Sequence, residues 1–392
     1  MVDFETLVLD VEDLDSNRVN DFISGLTDVG CLLIFSALKE DEKLLEFIEE
    51  FSLKHDIPYA GLKVTGFFSD GNYRNNCLGF VALQGVKANL FTGKLDFEDI
   101  EDCVKSLREG VNEGLNFVFS ANTYPECGVL DEVLRRVVDN KPDIILYGGI
   151  SAPDPIVFSN DGFFGDGIIF LQVSGIKYEY NVYSGYEINE DASTHIATNS
   201  EREYITKIDG ENPVTLYCNY KSIPSYLMNT IVKLSLKANM AELASKMANL
   251  NKSLYDSLIK GTIEVMGYES SRGQVEPIFI TNFNEEKSKI QTIRSNNKKL
   301  KLNWITTNGE KQVKTYQKVN QENTRYKNTF IFSCGYVPFY YRCNHNLVEQ
   351  QLQKFKTKVF TAYMWGEIGG NQTDLQKGTL VHGGTLTTLN FQ

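Results

Sequence analysis

Three stretches of this chain repeat one pattern, and that pattern restricts the fold more than any other feature. In each, an apolar strand meets glycine, a polar loop follows, and a second apolar strand returns. They are "AGLKVTGFFSDGNYRNNCLGFVAL", "IILYGGISAPD" with "FFGDGIIFLQV", and "VFTAYMWGEIGGN" with "LVHGGTLTTLNF". The repetition predicts an internal duplication in which related sheets bring distant glycine corners onto a shared cleft. The expected class is α+β, with mostly antiparallel, partly mixed sheets flanked by helices.

Helical segments fall between the strands. "EDEKLLEFIEEFSLK" puts Leu44, Leu45, Phe47, Ile48 and Phe51 on one helical face, with acids toward its start. Further helices are expected at about 97–109 and in "GVLDEVLRRVVDN". "GIIFLQVSGIKYEYNVYSGYE" reads as two strands joined around Gly175, continuing into an antiparallel run. At "DGENPVTLY" the pattern changes: Asn212 suits a helix N-cap and Pro213 the first helical position. A long helical stretch is expected at about 226–258. A chain of 392 residues exceeds the usual limit of one core, and the boundary near 209–212 divides it into domains 1–210 and 211–392.

Bulk properties exclude several function classes. A formal charge of −12 repels nucleic acid and anionic membrane. The N-terminus lacks a basic, apolar leader, and the longest apolar runs are strand-sized, so a soluble cytoplasmic protein is expected. Seven scattered cysteines read as reduced thiols. The basic segment "EEKSKIQTIRSNNKKLKLNW" alternates charge with apolar residues and reads as a solvated sheet face.

The glycine corners could cradle phosphate or admit a smaller ligand. "GGISAPD" lacks the lysine and second glycine of a P-loop, and "GFFGDG" fails the dinucleotide-binding spacing. The glycines then serve positive φ or a close approach to the backbone. At the first corner Gly148, Gly149, Ser151 and Asp154 are candidate ligand contacts, with Asp154 able to bond turn amides or a ligand amine. In "FSANTYPECG", Ser120 and Asn122 sit where a strand end meets a helix start, a place that favours an anionic group; a plain helix cap competes for Asn122. "AYMWGEIGG" sets Glu367 beside Trp365, a pair suited to an ammonium group. On its own residues Glu367 reads as an exposed turn glutamate. His382 and Cys334 complete the candidates, and a lone histidine is ordinarily a hydrogen-bonded structural one.

The order of these segments resembles the FIST family, the paired N- and C-terminal sensory domains of bacterial signal-transduction proteins. "AGLKVTGFF", "DIILYGGISAPD" and "VFSNDGFFGDGIIFLQVSG" look like its N-terminal domain. "THIATNSEREYITKIDGENPVTLY" resembles the domain junction, and "FIFSCG", "AYMWGEIGG" and "LVHGGTLTTLNF" the C-terminal partner. The resemblance implies a small-molecule sensory module, its ligand such as an amino acid bound between the two halves, reporting to a separate kinase or chemotaxis component. Some members are similar in sequence yet bind haem and respond to nitric oxide. That gives the alternative, with His382 as an axial ligand.

Neither a metal site nor catalysis is expected. Cys334, Cys343, His345 and His382 have suitable atoms but no ligand spacing. No nucleophile motif occurs, and with four histidines in the chain the sequence nominates no base for one.

Overall fold

The computed structural model describes residues 3–96, 99–121, 127–152, 154–198, 204–237, 264–270, 273–286, 288–292, 299–335, 345–375 and 380–391. The first repeat runs β1 (Asp3–Asp10), α1 (Ser16–Ser24), β2 (Val29–Ser36), α2 (Asp41–Ser52), β3 (Tyr59–Lys63), β4 (Gly66–Ser69), β5 (Asn72–Arg74) and β6 (Cys77–Gln84). The second runs β7 (Lys87–Lys94), α3 (Glu101–Gly110), β8 (Gly114–Ser120), α4 (Cys127–Val138), β9 (Ile144–Ile150), β10 (Val157–Ser159), β11 (Gly162–Phe164) and β12 (Gly167–Ser174).

A third begins with β13 (Tyr178–Ser184) and is interrupted by an insert. The insert holds β14 (Glu187–Ile188), β15 (His195–Thr198), β16 (Tyr204–Ile205), β17 (Lys207–Ile208), α5 (Pro213–Lys221) and α6 (Ser225–Lys237). It continues with β18 (Glu264–Glu269), β19 (Val275–Pro277), β20 (Ile280–Asn284), β21 (Lys289–Thr292) and β22 (Lys299–Thr306). The repeat then resumes with α7 (Gly309–Glu322), β23 (Asn328–Cys334), α8 (His345–Leu352), β24 (Lys358–Met364), β25 (Gly366–Gly370), α9 (Gln372–Leu375), β26 (Val381–His382) and β27 (Thr385–Phe391).

Each repeat builds four strands of one sheet and lends a hairpin to another. The three resulting six-stranded sheets are β1-β6-β2-β3-β10-β11, β26-β25-β9-β8-β12-β7 and β13-β27-β23-β24-β4-β5. In each, the central pair is parallel (β2 with β3, β8 with β9, β23 with β24) and all other pairings are antiparallel. The fold class is therefore α+β with mixed sheets, and the duplication expected from the glycine pattern is threefold. Residue 210 falls in the insert, and strands from both sides of it share sheets: β4 and β5 with β23, β24 and β27, and β25 and β26 with β8 and β9.

The central strands are buried on both faces, which explains their unbroken apolar runs. On the inner faces Leu33 and Phe35, Phe117 and Phe119, and Phe330 and Phe332 enter one common core. On the outer faces Leu32 and Ile34 pack with α2, Val118 with α3 and α4, and Ile331 with α7, α8 and the insert. Phe35, Phe119 and Phe332 hold equivalent places, each followed by serine, and their rings meet pairwise at 6.0, 5.9 and 6.3 Å between centroids. These three rings mark the pseudo-threefold centre.

Local readings fare unevenly. Asn212 caps α5, its side-chain oxygen accepting from the N–H groups of Val214 (2.9 Å) and Thr215 (3.3 Å), with Pro213 in the first turn. The predicted helix near 97–109 is α3. Leu44, Phe47, Ile48 and Phe51 are buried on α2 as expected, but Leu45 is exposed, because it lies a third of a turn round from Leu44. The strands flanking Gly175 do not pair with each other: β12 joins β7 and β8, while β13 joins β27. Of the long helix expected at 226–258, only the part within α6 lies among the described residues.

Candidate functional site

The third repeat crosses from one sheet to another at a corner between β24 and β25. There Gly366, Glu367, Ile368 and Gly369 pair with Ile150, Gly149, Gly148 and Tyr147 of β9. The two glycine corners, more than 200 residues apart in sequence, are thus adjacent strands. Cys334 and Trp365 join them through the Cys334 thiol, 3.9 Å from the Trp365 carbonyl, and the Trp365 N–H, which donates to the Ile150 carbonyl at 3.2 Å. Ser120 pairs with Ile150 on the other side of β9.

The expected sharp reversals at these glycines do not occur. Gly148, Gly149, Gly366 and Gly369 lie within strands, and none has positive φ. Their use is close approach: a Cβ on Gly149 would lie 1.5 Å from the Met364 sulfur, and one on Gly369 2.4 Å from the Tyr180 hydroxyl.

Residues in register across a sheet share a face. The inner-face row of this sheet reads His382, Glu367, Gly149, Phe119, Ile169, Thr92. The equivalent rows, aligned on the central phenylalanine, read Phe164, Val157, Leu62, Phe35 in one sheet and Arg74, Phe67, Ala362, Phe332 in the other. Glu367 therefore occupies an inner-core position that the sister repeats fill with Val157 and Phe67.

Glu367 has no exposed surface, which corrects its reading as an exposed turn residue: β25 is a paired strand between β9 and β26. Its Oε2 accepts from the Thr385 hydroxyl at 2.6 Å and the Thr385 N–H at 3.4 Å. Its Oε1 is buried without a partner. Burial pushes the carboxyl from 4.5 up to about 7, against the opposing pull of Thr385 and of neighbouring His382.

His382 is buried and sits between two acceptors. Its Nε2 lies 2.9 Å from the Gly369 carbonyl and its Nδ1 3.3 Å from Glu276 Oε2, which also accepts from the Tyr268 hydroxyl at 2.5 Å. Each ring nitrogen thus lies within hydrogen-bond distance of an oxygen of the core. Beside it, the Tyr147 hydroxyl donates to the carbonyls of Phe330 (2.9 Å) and Thr387 (3.1 Å), tying β9 to the neighbouring sheet.

The remaining candidates stand apart from this cluster. The Ser151 hydroxyl closes its own loop, bonding the carbonyls of Asp154 (2.6 Å) and Ile156 (2.9 Å) and accepting from the Ile156 N–H (3.0 Å). Asp154 pairs at 2.6 Å with Lys63, a buried lysine that also meets Asp41. Ser120 is buried with an unpartnered hydroxyl on the outer face, and Asn122 lies outside the described residues. Sequence reasoning missed Thr385, Glu276 and Tyr268; a lone acid in the apolar run "QVEPIFI" was the available signal for Glu276. Among the described residues no group of three or more His, Cys, Asp or Glu could hold a metal, and no helix is long and apolar enough to cross a membrane.

Compared with protein-family models and with curated proteins, the chain matches none.

Proposed function

We propose that this chain is a small-molecule-binding sensory protein of the FIST type, and that its ligand carries an ammonium group received by Glu367. The observation behind the reading is a carboxylate with one unpartnered oxygen in a core position where the sister repeats carry Val157 and Phe67. A buried carboxylate costs stability, and the other two repeats fold without one. A ligand ammonium supplies the missing partner for Oε1, while opposite Glu367 the glycine Gly149 contributes no side chain of its own and the unbranched Met364 side chain covers its backbone. An amino acid meets these requirements. Because Glu367 is fully buried, the ligand enters only when the hairpin of β25 and β26 moves, and that movement is the signal a separate kinase or chemotaxis component would read in the cytoplasm.

The test is a thermal-shift screen of amino acids, simple amines and matched carboxylic acids without the amine. An amine at about 100 times its Kd adds about 2.7 kcal/mol to wild-type stability, and Glu367→Gln abolishes that gain. Stabilisation by the amine-free acids, or an equal gain in Glu367→Gln, overturns the reading.

A further inference from the structure

We propose that Ser193, His195 and Asp209, on the insert and away from Glu367, form a nucleophilic triad that accepts acyl groups from small activated esters and thioesters. His195 Nε2 lies 3.1 Å from the Ser193 hydroxyl, and Nδ1 lies 2.7 Å from Asp209 Oδ2. These are the two contacts that a serine nucleophile, its base and the base's orienting carboxylate require. Ser193 is exposed, so a substrate reaches it directly, while the His195 side chain is 13% exposed and held in place.

The tautomer follows from a third neighbour. The Trp304 indole N–H, which can only donate, points at His195 Nε2 from 3.2 Å. Nε2 therefore carries the lone pair, and the ring proton sits on Nδ1 toward Asp209, as a general base facing Ser193 needs. The carboxylate is fixed as well. Asp209 and Gly210 form a tight two-residue turn, both with positive φ (53° and 83°). Asp209 Oδ1 accepts the Ile196 N–H at 2.7 Å, and the Asp209 N–H donates to the Ile196 carbonyl at 2.9 Å. The serine side is anchored by Thr194, whose hydroxyl donates to Asn303 at 2.9 Å.

In the step proposed, Ser193 Oγ bonds the acyl carbon while its proton passes to His195 Nε2. The acyl–oxygen or acyl–sulfur bond breaks, and the leaving group takes that proton. Water then attacks the acyl-serine by the same route, releasing the acid and restoring Ser193. Trp304 shares the lone pair with Ser193 and yields it when the imidazolium forms, so turnover is slow. Base assistance of this kind is worth about 10²- to 10⁴-fold.

The experiment incubates the full-length protein with a fluorophosphonate and with p-nitrophenyl acetate, locating the adduct by peptide mass spectrometry. One adduct is expected on Ser193, the hydroxyl that His195 Nε2 faces. It is absent in Ser193→Ala and slowed at least about tenfold in Asp209→Asn. Ser193→Ala changes an exposed side chain, so its circular dichroism and its response to amines at Glu367 stay those of wild type, which separates this proposal from the preceding one. No adduct on the wild-type protein, or an adduct that persists in Ser193→Ala, overturns it.

Discussion

Replacing Glu367 by glutamine removes a buried charge while keeping the side chain's shape, and its effect on stability is set by proton linkage. The carboxyl titrates near 4.5 when unfolded and about 7 when folded. Below the lower value both states are protonated and the group contributes no difference. Between the two, the unfolded chain releases its proton while the folded protein keeps it, so stability falls as pH rises; above about 7 the loss is complete. At about 1.4 kcal/mol per pH unit of displacement, the loss comes to roughly 3 kcal/mol. Glutamine does not titrate. Glu367→Gln should match wild type within about 0.5 kcal/mol near pH 4.5 and exceed it by up to about 3 kcal/mol near pH 8.5. Urea titrations followed by tryptophan fluorescence at a series of pH values measure this directly. For a chain of 392 residues the same difference corresponds to about 4 °C in Tm. Wild type and variant losing stability in parallel between about pH 5 and pH 8 would refute the linkage argument.

Two further predictions concern the scaffold. Gly149→Ala drives a methyl group into the Met364 sulfur, 1.5 Å from the ideal Cβ, and should destabilise by about 1–3 kcal/mol in chemical denaturation; an unchanged midpoint would show that the contact between β9 and Met364 at the end of β24 is loose. Phe35→Ala, Phe119→Ala and Phe332→Ala should each cost about 3–5 kcal/mol and fall close together, because the rings share one centre. Leu53→Ala, at an 89% exposed position, serves as the control.

Much of the scaffold is legible in the sequence because local chemistry dictates it. The strand–glycine–loop–strand segments are the three hairpin crossovers, and Asn212-Pro213 starts a helix as its cap chemistry requires. What the sequence does not carry is the exchange of hairpins between sheets. Strand pairing is set by side-chain packing across long separations: Gly366 meets Ile150, and Gly66 meets Tyr363. The same blindness hides the site. "WGEIGG" looks like a turn, and only the pairing with β9 and β26 shows that Glu367 points into the inner core beside His382. The triad on the insert was equally hidden, since Asp209 reaches His195 through a turn fourteen residues away.

The most direct test is calorimetric titration of the amine selected by thermal shift into wild type and Glu367→Gln at pH 8. The account predicts one site in wild type whose affinity falls at least about 100-fold in the variant, as expected when a buried ion pair loses its carboxylate. Equal affinity in the two folded proteins would contradict it.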